Sequence, residues 1–144
     1  MTESRRKVRE AVLQAIYWAL SSDEPASQTL RTMALRSDLS PEATDYALTV
    51  GKRMWADREK LDEEIGKVAV NWDVSRISKI DRILMWMALT EIRVMEDVPA
   101  RVAINEAIEL AKTFSGEKAP GFINGILDKL ARTSLEETRI PEDV

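Results

Sequence analysis

The sequence predicts an all-α protein, and three observations favour this fold class. Apolar and charged residues interleave at helical intervals, whereas a half-buried strand would show strict alternation. Glycine and proline, which interrupt helices, number only five each. Hydrophobic residues make up 44% of the 144 positions and charged residues 32%, the balance of a folded chain and not of a disordered one. We therefore expect a single globular helical domain with its own core.

The first helix is expected over Arg5–Leu20, with Ser4 as its N-cap. Apolar residues that recur three and four positions apart predict its buried face: Val8, Val12, Ala15, Ile16 and Ala19. Four cations crowd the first turns: Arg5, Arg6, Lys7 and Arg9. Because they oppose the positive end of the helix dipole, their placement indicates a role other than helix stability.

Start signals place two more helices in the first half of the chain. A short helix is expected around Leu30 and Met33. Ser40-Pro41-Glu42 then combines a capping hydroxyl, a proline at the first helical position and an acid in the first turn. The long helix that follows is expected to reach about Lys67, and residues 71–75 form a connector.

The helix expected over about residues 77–95 is apolar on nearly every side, as a helix at the centre of a bundle is. Two carboxylates, Asp81 and Glu91, fall among its apolar neighbours on a helical wheel. A buried Glu91 would therefore need a hydrogen-bond donor or a proton. The four tryptophans are interpreted as core or subdomain contacts: Trp18, Trp55, Trp72 and Trp86.

Two helices complete the predicted bundle. Val102–Phe114 divides cleanly into an apolar and a polar face. The last helix buries a stripe that begins at Ile123 and leaves Phe122 off it, while Asn124-Gly125 is interpreted as a site of close helix packing. Residues 133–144 are expected to form an acidic, flexible tail, with Glu136, Glu137, Glu142 and Asp143.

The residue types that are absent exclude several classes of site. The chain has no cysteine and no histidine, so it cannot build disulfides, the usual zinc sites or a catalytic triad based on either residue. Glu106 and Glu109 are three residues apart, a spacing typical of a solvated helix face. We therefore expect no catalysis, no metal and no cofactor. The sequence shows neither a secretory signal nor an apolar window of about 20 residues, which predicts a cytoplasmic protein without membrane contact.

Charge is distributed unevenly along the chain. The net charge of −4 disfavours binding to phosphates. The first turns are nevertheless strongly basic, and the tail is acidic. Distribution therefore decides whether this chain can bind nucleic acid, because attraction acts locally between a charged patch and its ligand.

Two stretches carry the most distinctive local sequence: VPARVAINEAIELAK over Val98–Lys112 and FINGILDK over Phe122–Lys129. Together they closely resemble the C-terminal half of the NusB family of bacterial antitermination factors. The likeness continues in IDRIL and ALTEI of the central helix, and in RRKVRE and LQAIY of the first helix. It covers most of the chain, although residues 21–75 carry little that is distinctive.

The resemblance implies a NusB-like fold over residues 1–132. About seven helices would form two small helical subdomains, an N-terminal one over about 4–70 and a C-terminal one over about 71–132. It also implies a protein without enzymatic activity that binds the boxA element of ribosomal RNA leader transcripts together with NusE, a ribosomal small-subunit protein. The complex then helps RNA polymerase to read through terminators.

The residues expected to bind RNA combine cations with one aromatic ring. Cations at a helix start contact phosphates or stack on bases, and the alternative is a solvated basic turn. A ring beside cations suits single-stranded RNA, and the alternative for Phe122 is closure of the core edge. Similar proteins use this aromatic for RNA, which favours the functional interpretation. The candidates are Arg5, Arg6, Lys7, Arg9, Lys112, Lys118, Phe122 and Lys129.

Tyr17 and Asp81 are the candidates for contact with a protein partner. Each is expected at the margin of an apolar surface, where a phenol and a carboxylate could recognise a donor on a docked chain. Contacts within the chain are the alternative. The resemblance places both positions at the interface with NusE.

Two other functions remain open. The chain could be a helical protein-interaction or homodimer module without an RNA role; only the antitermination hypothesis expects RNA binding that weakens steeply with salt. It could also be a stand-alone relative of the RNA-binding domain of a ribosomal RNA methyltransferase. Such an enzyme needs a cofactor-binding α/β domain, which is not seen before the chain ends at Val144.

Overall fold

The structure is a computed structural model that describes residues 4–70 and 73–139, with side chains up to Thr133. Within these ranges it contains six α-helices, one short 3-10 helix and no strand. The α-helices are α1 Arg5–Leu20, α2 Ala26–Arg36, α3 Pro41–Val68, α4 Lys79–Val94, α5 Ala100–Phe114 and α6 Ala119–Arg139, and the 3-10 helix is Val74–Arg76. The prediction of an all-α fold with about seven helices is confirmed. None of the described helices is long and apolar enough for a membrane span.

The chain forms two compact units, Met1–Arg58 and Glu59–Val144, and the division falls within α3. The sequence-based subdomain limits near residue 70 stay a prediction. At the C-terminus α6 continues past residue 132 to Arg139, so the start of the predicted tail is helical. Two of its acids, Glu142 and Asp143, lie outside the described residues.

The N-terminal unit begins as its sequence predicts. The Ser4 hydroxyl caps α1 by accepting a hydrogen bond from the Lys7 N–H at 3.4 Å, and all five predicted core residues of α1 are buried. An added Cβ at Gly51 of α3 would lie 2.5 Å from Leu30 Cδ2 of α2. Only glycine therefore permits this approach of α2 and α3 without movement.

The start signal of α3 is also confirmed. The Ser40 hydroxyl accepts a hydrogen bond from the Ala43 N–H at 3.1 Å, α3 begins at Pro41 and Glu42 lies in its first turn. The helix then runs to Val68 without the break that the charged residues after Ala56 make conceivable, because no second proline interrupts its hydrogen bonds.

The centre of the C-terminal unit is α4, which packs against both α5 and α6. Every residue from Ile83 to Glu91 is buried, so the prediction of a central helix is confirmed. Glu91 is only 1% exposed. Among the described residues no buried side-chain nitrogen or oxygen lacks a hydrogen-bond partner. The carboxyl group of Glu91 therefore has the hydrogen-bond partner that its burial requires.

The tryptophans differ in burial. Trp86 is fully buried in the core. Trp18 and Trp55 are half-buried, and an arginine guanidinium lies over each ring, at 5.5 and 3.9 Å from the respective centroids. These two rings therefore lie at the edge of the N-terminal unit, where the arginine side chain covers the face that the core leaves open. Trp72 lies outside the described residues.

Asp62 links α3 to α4 within the C-terminal unit. Its carboxylate accepts hydrogen bonds from the Arg82 guanidinium on both oxygens and from the Trp86 indole N–H at 2.8 Å. Asp62 and Arg82 are only 20% and 23% exposed, so this ion pair is shielded from water on most sides. The carboxylate thereby supplies an acceptor to an indole that would otherwise be buried unsatisfied.

We expect Asp62→Ala to lower the free energy of unfolding by about 2–3 kcal/mol, because it leaves the Trp86 indole and a shielded guanidinium without an acceptor. Urea denaturation followed by tryptophan fluorescence measures this loss. The control is Arg53→Ala, which removes the ion pair between Arg53 and Asp57. These side chains are 57% and 38% exposed, so we expect the free energy of unfolding to fall by about 0.5 kcal/mol or less. Equal losses for the two variants would contradict the role given to Asp62.

Candidate nucleic-acid interface

The basic start of α1 presents two exposed cations, Arg6 and Lys7. Arg5 is half-buried, and its guanidinium carbon lies 4.3 Å from the centroid of the Tyr46 ring on α3. Both residues belong to the N-terminal unit, so this cation–π contact holds α1 and α3 together there. Arg6 and Lys7 supply the exposed charge.

Arg9, predicted to be one of the exposed cations of α1, is not exposed. Its side chain is buried, with 4% of the residue exposed. Helical periodicity is the reason, since Val12 and Ile16 lie on the same face of α1 and are both buried. Arg9 makes its own interaction within the protein, so it is no longer a candidate for RNA contact.

Phe122 lies in the first turn of α6, and its side chain is half-buried. Its ring lines a cavity of about 170 Å³, which we call the α4–α6 cavity. Asp81 lines the cavity from the start of α4, Arg76 from the 3-10 helix and Lys118 from the residue before α6. The cavity therefore combines an aromatic ring with two cations and one carboxylate.

The turn that carries Arg76 is closed by Asp73. The Asp73 carboxylate accepts a hydrogen bond from the Ser75 N–H at 3.0 Å. This backbone bond, together with one to the Ser75 side chain, stabilises the charged form and lowers the pKa of Asp73 below its ordinary value. A carboxyl with a lowered pKa favours the folded turn at neutral pH, and this contribution is lost only as the pH falls through the lowered pKa.

A second depression also has Phe122 in its wall, and we call it the α3–α6 groove. Its volume is about 270 Å³. The residues at the end of α3 and just after it form one side, and α6 forms the other: Val68, Ala69, Val70, Gly121, Gly125, Ile126 and Lys129. Val70 is 69% exposed, so the groove presents an aliphatic side chain directly to solvent. Phe122 borders both depressions.

Gly121 and Gly125 lie one turn apart on α6, and among the described residues a Cβ added at either position would meet nothing within 4 Å. The interpretation of Gly125 as a site of close helix packing is therefore wrong. Glycine inside a helix costs roughly 0.5–1 kcal/mol relative to alanine, and no neighbour in the part of the chain that the structure describes explains this cost. What the two glycines provide is bare helix backbone along one side of the groove.

The three lysines expected to contact RNA from the C-terminal unit are all exposed. Lys118 lines the α4–α6 cavity and Lys129 the α3–α6 groove, and within the described ranges neither forms an ion pair. Lys112 lines neither depression, and its Nζ lies 3.1 Å from Glu109 Oε1 in an exposed pair. The structure therefore places Lys118 and Lys129 beside Phe122 and leaves Lys112 apart.

Asp81 is more enclosed than a residue at the margin of a surface. It is 9% exposed, its Oδ1 accepts a hydrogen bond from the Ser115 hydroxyl at 2.6 Å, and its N–H donates to Ser78 Oγ at 3.2 Å. The carboxylate thereby ties the residue after α5 to the first turn of α4. Asp81 still lines the α4–α6 cavity. The alternative of a contact within the chain is therefore met by Ser115, and the role of Asp81 in partner binding stays a prediction.

Tyr17, the other candidate for partner contact, lies on α1 and is 43% exposed. A large ring with this exposure presents both apolar area and a hydroxyl, the combination that is enriched at protein interfaces. Its role in partner binding stays a prediction.

Sequence reasoning did not single out Arg76 or Val70. Val70 lies in the part of the chain that carries little distinctive sequence and Arg76 directly follows it, and their significance comes from the residues that surround them in the fold. A signal was available for the groove, because two glycines at helical spacing inside a helix are costly wherever no turn requires them.

Comparison with known proteins gives consistent results. Residues 6–132 match the model of the NusB family. A transcription antitermination protein NusB of Natranaerobius thermophilus is 39% identical over 132 residues, which cover 89% of this chain and 94% of the relative. The protein of the same name from one strain of Dehalococcoides mccartyi is 36% identical over 143 residues, which cover 99% and 100%.

Solved structures show the same likeness. T. maritima NusB superposes with a TM-score of 0.84 at 31% sequence identity, covering 92% of this chain and 93% of that one. A crystal structure of the antitermination factors NusB and NusE in complex with dsRNA gives a TM-score of 0.81 at 18% identity, covering 92% and 99%, a likeness of fold. From the family match over most of its length and these relatives, the chain belongs to the NusB family.

Proposed function

We propose that this protein is an RNA-binding transcription antitermination factor. With NusE it binds the boxA element of ribosomal RNA leader transcripts and promotes read-through by RNA polymerase. It acts in the cytoplasm by binding and catalyses no reaction. The observation that carries the proposal, on a chain of the NusB family, is the half-buried ring of Phe122 between two depressions that each contain an exposed lysine.

A half-buried ring suits the stacking of an unpaired base. Packing restricts the ring to few rotamers, so little entropy is lost when a base stacks on it. Each stacked base contributes about 1–3 kcal/mol in single-stranded complexes. Lys118 and Lys129 line the depressions on which the ring borders, where their ammonium groups can meet the phosphates on either side of that base.

The glycines of α6 fit the same function. A planar base can approach the helix backbone at Gly121 and Gly125, where no side chain intervenes. A ligand can use this open surface, whereas the free helix is weakened by it. The groove therefore offers a base an apolar wall beside the Phe122 ring.

The exposed cations of α1 add to binding from the N-terminal unit. Arg6 and Lys7 are exposed in a chain whose net charge is −4, so their attraction for phosphate acts locally and is screened by salt. RNA affinity should fall steeply as the salt concentration rises.

NusE is the proposed protein partner, bound through Tyr17 and the surface around Asp81. Tyr17 supports this with its exposed ring. Asp81 supports it through its charge at the wall of the α4–α6 cavity and through the Ser115 bond that fixes the neighbouring loop. The RNA and NusE together would form the unit that joins the transcribing RNA polymerase.

The decisive experiment is a fluorescence-anisotropy titration of labelled boxA RNA with this protein, with and without NusE, at several salt concentrations. The proposal expects binding that NusE tightens and salt weakens. A protein that self-associates but binds boxA RNA no better than a scrambled RNA would instead be the homodimer or interaction module.

We expect Phe122→Ala to lower the affinity for boxA RNA roughly 5- to 150-fold, the equivalent of one stacked base at about 1–3 kcal/mol. The same titration measures it. The control is Phe114→Ala, because Phe114 is the other phenylalanine, is also half-buried and lines neither depression. If both variants lose RNA affinity alike, or if Phe122→Ala alone unfolds, Phe122 serves the core edge and not the RNA.

Gly125→Ala should separate stability from binding. We expect the free energy of unfolding to rise by roughly 0.5–1 kcal/mol, because alanine favours the helix and its Cβ meets no neighbour. The added methyl group should at the same time lower RNA affinity about threefold or more by weakening a stacking contact. Gly116→Ala, in the loop before α6 and equally free of neighbours, should leave affinity unchanged. If Gly125→Ala raises both the free energy of unfolding and the RNA affinity, the groove does not bind a base.

Asp81→Asn is the test of the partner surface. Asparagine keeps an oxygen that can accept the Ser115 hydrogen bond and removes the charge, whereas a lysine would not fit a position that is 9% exposed. We expect NusE affinity to fall about tenfold, as for one charge-assisted hydrogen bond, with bare RNA affinity unchanged. Isothermal titration measures the affinity for NusE, and fluorescence anisotropy measures the affinity for RNA. Equal losses of the two affinities would refute the assignment of Asp81 to the NusE surface.

A further inference from the structure

A third depression lies between α5 and α6 and shares no lining residue with the two beside Phe122. Its volume is about 240 Å³, and we call it the α5–α6 cleft. Polar side chains line it from both helices, around apolar atoms of Ile104 and two alanines. The polar residues are Arg101, Asn105, Asn124, Asp128 and Arg132.

Most of these polar groups have no role in holding the fold. Arg101, Asn105 and Asn124 are exposed, and their side chains form no hydrogen bond or ion pair within the described part of the chain. Arg132 pairs with Asp128 at 3.1 Å, with side chains 75% and 53% exposed. A pair of that kind on one helix contributes only about 0.3–0.5 kcal/mol, so it yields readily to a ligand.

The charge of the cleft favours an anionic ligand, since two guanidinium groups face one carboxylate. The side-chain amides of the cleft indicate the chemical class of this ligand. Asn105 and Asn124 each offer both a donor and an acceptor, the pair of groups that alternates along an extended peptide backbone. Phosphates offer acceptors only, and no aromatic ring lines the cleft to stack a base. Ile104 and the alanines can accommodate a small aliphatic side chain.

We propose that the α5–α6 cleft binds an extended acidic segment of a partner protein. Arg101 and Arg132 pair with carboxylates of the segment, Asn105 and Asn124 bond its backbone, and one small aliphatic side chain rests on Ile104. This site is separate from the RNA surface of the proposed function, so either can fail without the other.

The probe is an acetylated and amidated hexapeptide of sequence Glu-Val-Asp-Ala-Glu-Val, titrated into the ¹⁵N-labelled full chain at low salt. We expect saturable shifts of the side-chain amide signals of Asn105 and Asn124, with a Kd on the order of 0.1–1 mM for so short a ligand. The same peptide with lysine at its three acidic positions should cause no shift. Arg101→Glu should weaken binding about tenfold or more by charge repulsion, and Arg31→Glu, an equal change of charge at an exposed position of α2, should not.

Two results would overturn the proposal. One is the absence of saturable shifts at these asparagines with the acidic peptide, while the folded spectrum is retained. The other is a stronger shift of the same signals by an octamer of uridylate, which would make the cleft a further contact for RNA. Phe122→Ala distinguishes the two functions, because it should lower RNA affinity and leave the peptide titration unchanged.

Discussion

The burial of α4 on nearly every side is the constraint on which the C-terminal unit depends. A helix enclosed in this way cannot leave a polar group without a partner, because an unsatisfied buried donor or acceptor costs about 1–3 kcal/mol. Its indole and guanidinium are therefore bonded by Asp62 from α3, and its first turn is bonded to Ser115 through Asp81. These bonds place the C-terminal part of α3 and the end of α5 beside α4, and α6 packs against both α4 and α5. The depressions around Phe122 form between α6 and its neighbours.

The sequence predicted best what local signals determine. The limits and cap of α1 follow from Ser4 and the apolar spacing, and both match the structure. Arg9 was predicted among the exposed cations but is buried, because buried residues of α1 lie on both sides of it around the helix. The bond between Asp81 and Ser115 joins residues 34 positions apart, and no local pattern can reveal such a pairing. The depressions depend on the same distant contacts.

The negative net charge does not oppose the proposed RNA binding. At physiological salt the Debye length is about 8 Å, so acids far from a bound phosphate contribute little to its energy. What matters is the charge beside the bound phosphate, and the charged residues that line the two depressions beside Phe122 are three cations and one carboxylate. A chain of this kind can be soluble and acidic as a whole and still bind RNA at one place, with an affinity that depends strongly on salt.

Phe122 lies between the two alternatives that its sequence position left open, the core edge and the exposed surface. A fully buried ring could not stack on a base, and a fully exposed ring would lose side-chain entropy when it did. The half-buried ring is held by its own unit and still borders two depressions. Gly121 and Gly125 beside it differ from the ring, because they lower the stability of α6 and leave its backbone open to solvent. Both features fit a planar ligand in the groove, and this is why the proposed RNA surface is centred there.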